Sequence, residues 1–342
     1  MTTALFLLGG FLLLAVFVLV YRIIVLVSIA KGDSEKKAST SNKINALLFP
    51  VSFVGMFGLI FWYSGIAKED LLPEASSLHG VKTDELFWIT IAVIMVAFFA
   101  THLLLFFFPY KYQYKEGRKA LFFPENDKLE LVWTVIPALV MTVLVFSGWR
   151  VWSDITSPAP DEAVEIEVMG KQFNWQLRYG GKDGKVGRHD FLKIDATNSM
   201  GVDFTDPKSL DDFIPGKLIL PKGRPVNLKI RSRDVIHSVF LPHFRVKMDA
   251  VPGMQTNFCF TPTKTTEEMR VETNNPNFNY EMACTEICGS SHFAMKLAVE
   301  VLEPEEFDKW YSEQEPWASK NPDVLAKALG QPEELAQVEE KK

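Results

Sequence analysis

Cysteine is scarce in this chain of 342 residues, which has only Cys259, Cys284 and Cys288. Three thiols are too few for an iron–sulfur cluster, which prefers four thiolates. A Cys-x-x-Cys-His motif is absent as well, so the chain carries no attachment site for a c-type haem. Neither a repeat period nor a low-complexity segment occurs in the sequence.

Charge is missing from four long segments: residues 1–21, 44–67, 86–110 and 131–149. Each is close to the ~20 apolar residues that cross a bilayer as an α-helix. We therefore predict four transmembrane helices, at about 4–30, 44–64, 86–108 and 131–150. Two alternatives stay open: the first segment as a cleaved signal peptide, although no basic residue precedes it, and a kinked or re-entrant second segment at Pro50.

Basic residues are distributed unevenly among the loops that join these segments. The first and third loops hold nine of them: Lys31, Lys36, Lys37, Lys43, Lys111, Lys115, Arg118, Lys119 and Lys128. The second loop holds only Lys68 and Lys82, together with five acidic residues. The positive-inside rule places the two basic loops in the cytoplasm, so everything after Arg150 is predicted to lie outside.

Residues 151–342 have a different character, with 31 acidic and 23 basic residues. Apolar and polar residues alternate in four segments, which predicts strands at 164–168, 226–230, 269–273 and 297–301. Many short strands with frequent turn signals indicate an antiparallel sandwich or barrel. Residues 195–215 are polar and acidic and predict a surface insertion, 305–313 predict a helix, and the last dozen residues predict a disordered tail.

The most specific signal is a loop of twelve residues that begins at Cys284 and ends at Met295. Cys284, Cys288, His292 and Met295 follow one another at spacings of four, four and three, and His237 lies about fifty residues upstream. Soft sulfur with imidazole suits copper, and two thiolates can bridge two copper ions. The alternatives are a structural disulfide, a zinc site, for which methionine is a poor ligand, and a chance alignment of core residues.

These features resemble cytochrome c oxidase subunit II. Besides the loop, residues 234–238 (DVIHS) resemble that family's first-histidine motif, and 247–253 (KMDAVPG) its following segment. Residues 129–137 (LELVWTVIP) resemble the start of its last membrane helix. The resemblance covers roughly 84–304 and implies N-terminal transmembrane helices plus an all-β, cupredoxin-like Greek-key barrel.

The resemblance also divides the chain into four parts. It implies a family-type transmembrane helix hairpin at 84–150 and a cupredoxin-like CuA domain at 160–304. Residues 1–66 form an additional N-terminal pair of transmembrane helices, because the family usually has only two helices in this subunit. Residues 305–342 remain as an acidic C-terminal helix and tail.

The cofactor implied by the resemblance is a dinuclear copper centre, CuA. Its implied metal ligands are His237, Cys284, Glu286, Cys288, His292 and Met295. The two cysteines would bridge the copper ions and each histidine would bind one of them. Met295 and the main-chain carbonyl of Glu286 would complete the set. The Glu286 side chain would reach a magnesium or manganese ion shared with the catalytic subunit.

By resemblance, the protein is the electron-entry subunit of a cytochrome c oxidase. It would take electrons from a c-type cytochrome and pass them to haem in the catalytic subunit I, which reduces oxygen to water; this chain alone would not. Its partners would be subunit I, other oxidase subunits and membrane lipid, without nucleic acid. Its place would be the bacterial inner (cytoplasmic) membrane, with the CuA domain on the periplasmic or outer side.

Two alternative functions fit the sequence less well. A copper-free structural subunit of a quinol oxidase would not need the complete ligand set that the sequence retains. A CuA protein of nitrous oxide reduction would need a large propeller domain, for which the chain has no room.

Three further side chains are candidates by resemblance. Phe173-Asn174-Trp175 stands where the family often has Trp-Tyr-Trp, whose leading tryptophan is the usual electron-entry residue. Glu130, at the start of the last membrane helix, is a candidate proton-path entrance; alternatively its carboxylate only complements the helix N-terminus.

A predicted acidic surface would steer a basic cytochrome and consists of Asp203, Asp206, Asp211 and Asp212.

Overall fold

The computed structural model describes residues 2–30 and 40–330. Within these ranges four long α-helices come first: α1 (Thr2–Ala30), α2 (Thr40–Ile66), α3 (Leu78–Lys111) and α4 (Asp127–Thr156). All four are long and apolar enough to cross a membrane, which confirms the prediction of four apolar helices. Helix α2 continues through Pro50. Lys31, Lys36, Lys37 and the predicted tail lie outside the described residues.

Helices α2 and α3 pack against each other through a ladder of aromatic rings. The ring of Phe57 lies 4.9 Å from that of Phe99 and 5.6 Å from that of Phe98. The ring of Phe53 lies 5.6 Å from that of Phe106. Because lipid tails are as apolar as these rings, van der Waals packing is what holds such a helix pair together in a membrane.

The chain after α4 forms nine β-strands in its described part: β1 (Val164–Lys171), β2 (Asn174–Tyr179), β3 (Leu218–Pro221), β4 (Val226–Ser232), β5 (His237–Leu241), β6 (Val246–Ala250), β7 (Thr256–Phe260), β8 (Tyr280–Cys284) and β9 (Lys296–Leu302). One sheet has the order β2-β1-β4-β7 and the other the order β3-β9-β8-β5-β6. The two sheets enclose one apolar core, as the cupredoxin-like prediction requires.

The prediction of an antiparallel barrel is wrong for two of the strand pairs. Strands β1 and β4 run parallel, and so do β3 and β9. The parallel register places Ile166 opposite Leu228, and both are fully buried. Burying such a side chain contributes about 1.5–3 kcal/mol. Alternation along each strand therefore identified the buried face, although it carried no information about strand direction.

The predicted strand at 269–273 is also wrong, because Thr266–Glu272 form helix α5. The Thr265 hydroxyl accepts a hydrogen bond from the N–H of Glu268 (3.1 Å), and the Glu268 carboxylate accepts one from the N–H of Thr265 (2.7 Å). This capping box starts a helix at Thr266. Met269 is buried on its inner face while Val271 is 76% exposed, so the apparent alternation reflects two sides of one helical turn.

Three helices follow β9: α6 (Pro304–Ser312), α7 (Trp317–Lys320) and α8 (Pro322–Ala328). Helix α6 confirms the predicted helix at 305–313. Helix α7 brings the Trp317 ring onto that of Phe204, at 5.4 Å and nearly parallel. Phe204, Met200 and Val202 are buried together beside it. The predicted surface insertion at 195–215 is therefore only partly exposed, since its few apolar residues form a small core of their own.

An ion cluster, defined here as Glu167, Arg178, Asp212 and Arg231, joins this insertion to β1, β2 and β4. The Arg178 guanidinium, fully buried, donates to Glu167 (2.7 Å), to Asp212 (3.0 Å) and to the carbonyl of Gly187 (2.8 Å). Arg231 donates to the other oxygen of Glu167 at 2.6 Å. Buried charges are stable only when paired in this way.

The two carboxyl groups of the ion cluster have pKa values displaced in opposite directions. Burial raises the pKa of Asp212 to about 7, although Arg178 opposes the rise. Burial also acts to raise the pKa of Glu167, but Arg178 and Arg231 together lower it to about 2. Glu167 is therefore the firmly ionised member, and Asp212 titrates near neutral pH.

The predicted acidic steering surface is wrong for Asp212, which is only 1% exposed. The other three aspartates make local contacts: Asp203 with Lys193, Asp206 with Arg188, and Asp211 with the N–H of Asp183. Because cations or backbone donors face these carboxylates, much of the insertion's negative charge is paired or hydrogen-bonded within the protein.

The first turns of α3 are attached to the barrel. The N–H of Ser76 donates to the carbonyl of His243 at 2.7 Å, and the Ser77 hydroxyl donates to the carbonyl of Phe244 at 2.8 Å. The Arg245 guanidinium donates to Asp84 at 2.6 Å. At the end of α4, Ile155 belongs to the barrel core. The β-domain is thus held by one helix that starts beside it and by another that ends in it.

Candidate metal centre

The loop from Cys284 to Met295 connects β8 to β9 and is closed at its base. The N–H of Cys284 donates to the carbonyl of Met295 at 3.1 Å, and the N–H of Thr285 donates to the carbonyl of Ser238 at 3.2 Å. Gly289 has a φ of 137°, and a Cβ there would come within 2.8 Å of the Phe173 ring. A glycine at this position lets the aromatic ring lie directly on the loop.

Five side chains converge here and form what we call the ligand cluster. The sulfur atoms of Cys284 and Cys288 lie 3.9 Å apart as free thiols. The Nδ1 atom of His237 lies 3.9 Å from the Cys284 sulfur, and that of His292 lies 3.6 Å from the Cys288 sulfur. The Met295 sulfur lies 3.9 Å from that of Cys288. His237 is fully buried, and both thiols and Met295 are nearly so.

The donor set fits a soft metal better than zinc. A zinc site of cysteine and histidine would not use the thioether of Met295, whereas copper accepts it. His237, Cys284 and Cys288 bring their ligand atoms within 4.8 Å of one another. The main-chain oxygen of Glu286 lies 3.2 Å from the Cys284 sulfur, while the Glu286 side chain is exposed.

A hydrogen-bonded chain behind the ligand cluster fixes the orientation of His237. Its Nε2 atom lies 2.8 Å from Asp234, which leaves Nδ1 free to face the cysteines. Asp234 also accepts from the N–H of Gln172 at 2.8 Å, and the Gln172 amide donates to the carbonyl of Cys288 at 2.6 Å. Sequence reasoning missed Gln172, for which the only signal is its place next to Phe173.

Two pKa shifts describe the electrostatics of the site. Burial acts to raise the pKa of Asp234, but hydrogen bonds from the N–H of Gln172 and from His237 hold it below its usual value. Burial, followed by the neighbouring Cys284, raises the pKa of the Cys288 thiol to about 11. A bound metal must therefore displace the proton from this thiol at neutral pH.

The other predicted site residues lie at different depths. Phe173 is half-buried against the loop, and Trp175 is buried, with its ring 5.9 Å from that of His237. Of these two aromatic residues, Phe173 is the one that combines contact with the loop and partial exposure to solvent. Glu130 is not part of the ligand cluster; it is exposed in the first turn of α4, where the side chain of Asn126 caps the helix.

Comparison with known proteins identifies the family. Residues 164–302 match the family model described as cytochrome c oxidase subunit II, periplasmic domain, and residues 66–151 match that of the transmembrane domain. The alternative cytochrome c oxidase subunit 2 of Bradyrhizobium diazoefficiens is 36% identical over 234 residues, which cover 68% of this chain and 78% of that protein. The chain belongs to the cytochrome c oxidase subunit II family.

Other members of the subunit II family are similar over comparable lengths. The cytochrome c oxidase subunit 2 of Thermostichus vulcanus is 28% identical over 267 residues, 70% of this chain and 77% of that protein. The crystal structure of the periplasmic domain of subunit II (CoxB) of Bradyrhizobium japonicum is 25% identical, with a TM-score of 0.31, and covers 45% of this chain and 94% of that one.

Membership of the subunit II family makes this chain part of a haem–copper cytochrome c oxidase, an enzyme complex of several subunits. It is a membrane protein with an exposed C-terminal domain, and copper is the metal that the family implies for the cluster of His237 with two cysteines. The transmembrane family model begins at residue 66, so α1 and nearly all of α2 precede it.

Proposed function

We propose that this chain is the electron-entry subunit of its oxidase. It accepts electrons from a c-type cytochrome at a dinuclear CuA centre and delivers them to haem in the catalytic subunit I, where oxygen is reduced to water. The observation that carries the proposal is the ligand cluster. Its two free thiols, two imidazole nitrogens and one thioether each lie within 4 Å of a neighbouring ligand atom. When bound, two copper ions sharing both thiolates would supply a one-electron carrier that reorganises little.

The chain's own residues would hold, orient and shield this centre. The proposed ligands are His237, Cys284, the main-chain carbonyl of Glu286, Cys288, His292 and Met295. His237 and Cys284 sit at the ends of β5 and β8, Met295 immediately precedes β9, and the other three lie in the loop that these strands anchor. Asp234 holds His237 in the orientation that presents Nδ1, and Gln172 holds the main chain at Cys288. Burial of both thiols keeps water from the sulfur atoms.

Phe173 is our candidate for the entry of electrons, because its ring lies against Gly289 beside Cys288 and reaches the surface. Trp175 would support the site through the contact of its buried ring with the His237 ring. The exposed side chain of Glu286 would bind a magnesium or manganese ion shared with the catalytic subunit.

The membrane part of the proposal follows from the charges of the loops. We place the chain in the bacterial inner membrane with four spans, both basic loops in the cytoplasm and the CuA domain on the periplasmic side. Glu130 would then lie at the cytoplasmic start of α4, where a proton path into the catalytic subunit could begin. Residues 1–66 would pack against other oxidase subunits or lipid.

Copper analysis of the full chain, purified in detergent, tests the proposal. We expect two copper ions per chain and an EPR signal from an unpaired electron shared by both. Cys288→Ser should abolish this signal while the circular dichroism of the barrel is unchanged, because one thiolate cannot form the double bridge. Cys259→Ser, in β7, is the matched control and should bind copper normally.

One copper ion per chain, or the four-line signal of a single copper, would contradict the dinuclear assignment. A purified oxidase that contains no copper in this subunit and oxidises quinol would instead support the copper-free alternative.

A further inference from the structure

A basic cavity lies where α2 begins and α3 ends. It has a volume of about 450 Å³, and its lining includes Lys43, Tyr110, Tyr114 and Lys115. A second cavity of about 630 Å³ shares Tyr114 and Lys115 with it and adds Lys119. The first cavity is formed by the two helix ends and the loop between α3 and α4, and the second by that loop alone.

The cations around these cavities form no ion pair with a carboxylate in the described part of the chain, and Glu116 is the one acidic residue that lines the first cavity. Among the residues that the structure describes, no ion pair is formed by any member of this group: Lys43, Lys111, Lys115, Arg118 and Lys119. Lys111 and Arg118 instead lie over the ring of Tyr112, at 5.4 Å and 5.3 Å. In the β-domain, by contrast, cations such as Lys222 are paired with carboxylates. The basic loop therefore has positive charge to offer to a ligand.

The first cavity lies at one end of a pair of helices that are long and apolar enough to cross a membrane. Lys43 is in the first turn of α2 and Lys111 is the last residue of α3, so both mark the same end of an antiparallel helix pair. Tyrosines interleaved with lysines are typical of the membrane–water interface. Nearby in the loop, Leu121 and Phe122 are 95% and 90% exposed, an apolar surface that suits acyl chains.

We propose that this cavity binds the headgroup of an anionic phospholipid. Lys43 and Lys115 of the first cavity and Lys119 of the second would contact the phosphate, and the hydroxyl group of Tyr110 would donate to its oxygens. Basic pockets between membrane helices on the cytoplasmic side commonly take such headgroups. Lys43 and Leu47 precede the segment that matches the family, whereas the rest of the lining lies within it, so the additional helix pair completes the site.

Native mass spectrometry of the full chain in detergent tests the proposal, with phosphatidylglycerol and phosphatidylcholine of identical acyl chains as ligands. We expect saturable binding of phosphatidylglycerol and at least tenfold weaker binding of phosphatidylcholine. The triple variant Lys43→Gln, Lys115→Gln, Lys119→Gln should lose this preference, by on the order of a hundredfold in affinity. The double variant Lys68→Gln, Lys82→Gln removes cations from the opposite loop and should retain it.

Equal binding of both lipids, or an unchanged preference in the triple variant, would overturn the site. Full displacement of the lipid by inorganic phosphate alone would show that the cavity takes a free anion, which would also overturn it. If the triple variant misfolds, the single variant Lys115→Gln should still weaken binding severalfold. In the assembled oxidase, a photoreactive phosphatidylglycerol should label residues 110–119, and absence of this label would overturn the site in the complex. The copper content of every variant should be unchanged, so this outcome is independent of the electron-entry function.

Discussion

The ligand cluster and the ion cluster are two buried polar groups in the same β-domain, and they are built on opposite principles. In the ion cluster, guanidinium N–H groups point at carboxylate oxygens, and opposite charges are interleaved. In the ligand cluster, sulfur and nitrogen atoms face one another at 3.6–3.9 Å. The first cluster is complete with the protein's own atoms, whereas the second would be completed by the copper that the family implies.

This difference separates buried polar residues that serve folding from those that serve a metal. Removing one member of a self-contained cluster strands its partners in a low-dielectric interior. Removing one thiol from the ligand cluster breaks no ion pair, as long as the metal is absent. Substitutions in the two clusters should therefore differ in their effect on stability.

The largest effect is expected for Arg178→Met. The change leaves Glu167 and Asp212 without the guanidinium that both face, and breaking a buried ion pair in this way costs about 3–5 kcal/mol. The free energy of unfolding can be measured on the metal-free full chain in detergent, from urea titrations followed by near-ultraviolet circular dichroism. Cys288→Ser in the same metal-free chain is the comparison and should cost less than about 1 kcal/mol, because a neutral thiol is replaced by a hydroxyl group. Equal losses in the two variants would mean that the clusters do not differ as described.

A smaller effect is expected for Asp212→Asn, and it should depend on pH. The pKa of Asp212 is raised from 3.8 to about 7 in the folded protein, so the folded state binds the extra proton between these values. Stability from this group is therefore full below about pH 4 and is lost as the pH rises to 7, by about 1.4 kcal/mol per unit at most. The difference in unfolding free energy between the wild type and the variant, measured from pH 4.5 to 8, should follow that slope. A difference that is constant over this range would show that Asp212 is ionised throughout.

The smallest effect is expected for Phe173→Trp, at the surface of the ligand cluster. The ring touches the loop at Gly289 without supplying a ligand, so the larger indole should change the rate of electron entry by less than about tenfold. Stopped-flow oxidation of a reduced c-type cytochrome by the assembled oxidase measures this rate. The visible and EPR spectra of the copper centre should be unchanged. An altered spectrum with an unaltered rate would show that Phe173 supports the site and does not conduct electrons.

Local patterns in the sequence were sufficient for the four apolar helices and for the twelve-residue loop. Charge-free runs and cysteine–histidine spacings are properties of neighbouring residues, so they can be recognised without knowing how distant parts of the chain pack. Features that depend on distant partners were missed. Asp212 looks like a solvated aspartate until Arg178, 34 residues away, is placed beside it. Gln172 likewise becomes relevant only when β1 and the loop at Cys288 meet, across 116 residues.

Helix α5 shows a different kind of error. Over five residues, the alternation around Met269 fits a strand and one side of a helical turn equally well. The capping signal of Thr265 and Glu268 was present in the sequence and distinguishes the two, but it lies just before the alternating segment.

The attachment of the first turns of α3 to the barrel has a mechanical consequence. Backbone and side-chain bonds from Ser76, Ser77 and Asp84 meet the turn between β5 and β6, and Ile155 from the end of α4 is embedded in the core. A domain joined to a helix by a single flexible linker would move independently of that helix. Here the start of α3 and the end of α4 are both packed into the barrel, so these helix ends belong to the same folded unit as the β-domain. Shortening the polar start of α3 by a few residues would then disturb the turn between β5 and β6, even though every residue of the loop between Cys284 and Met295 was intact.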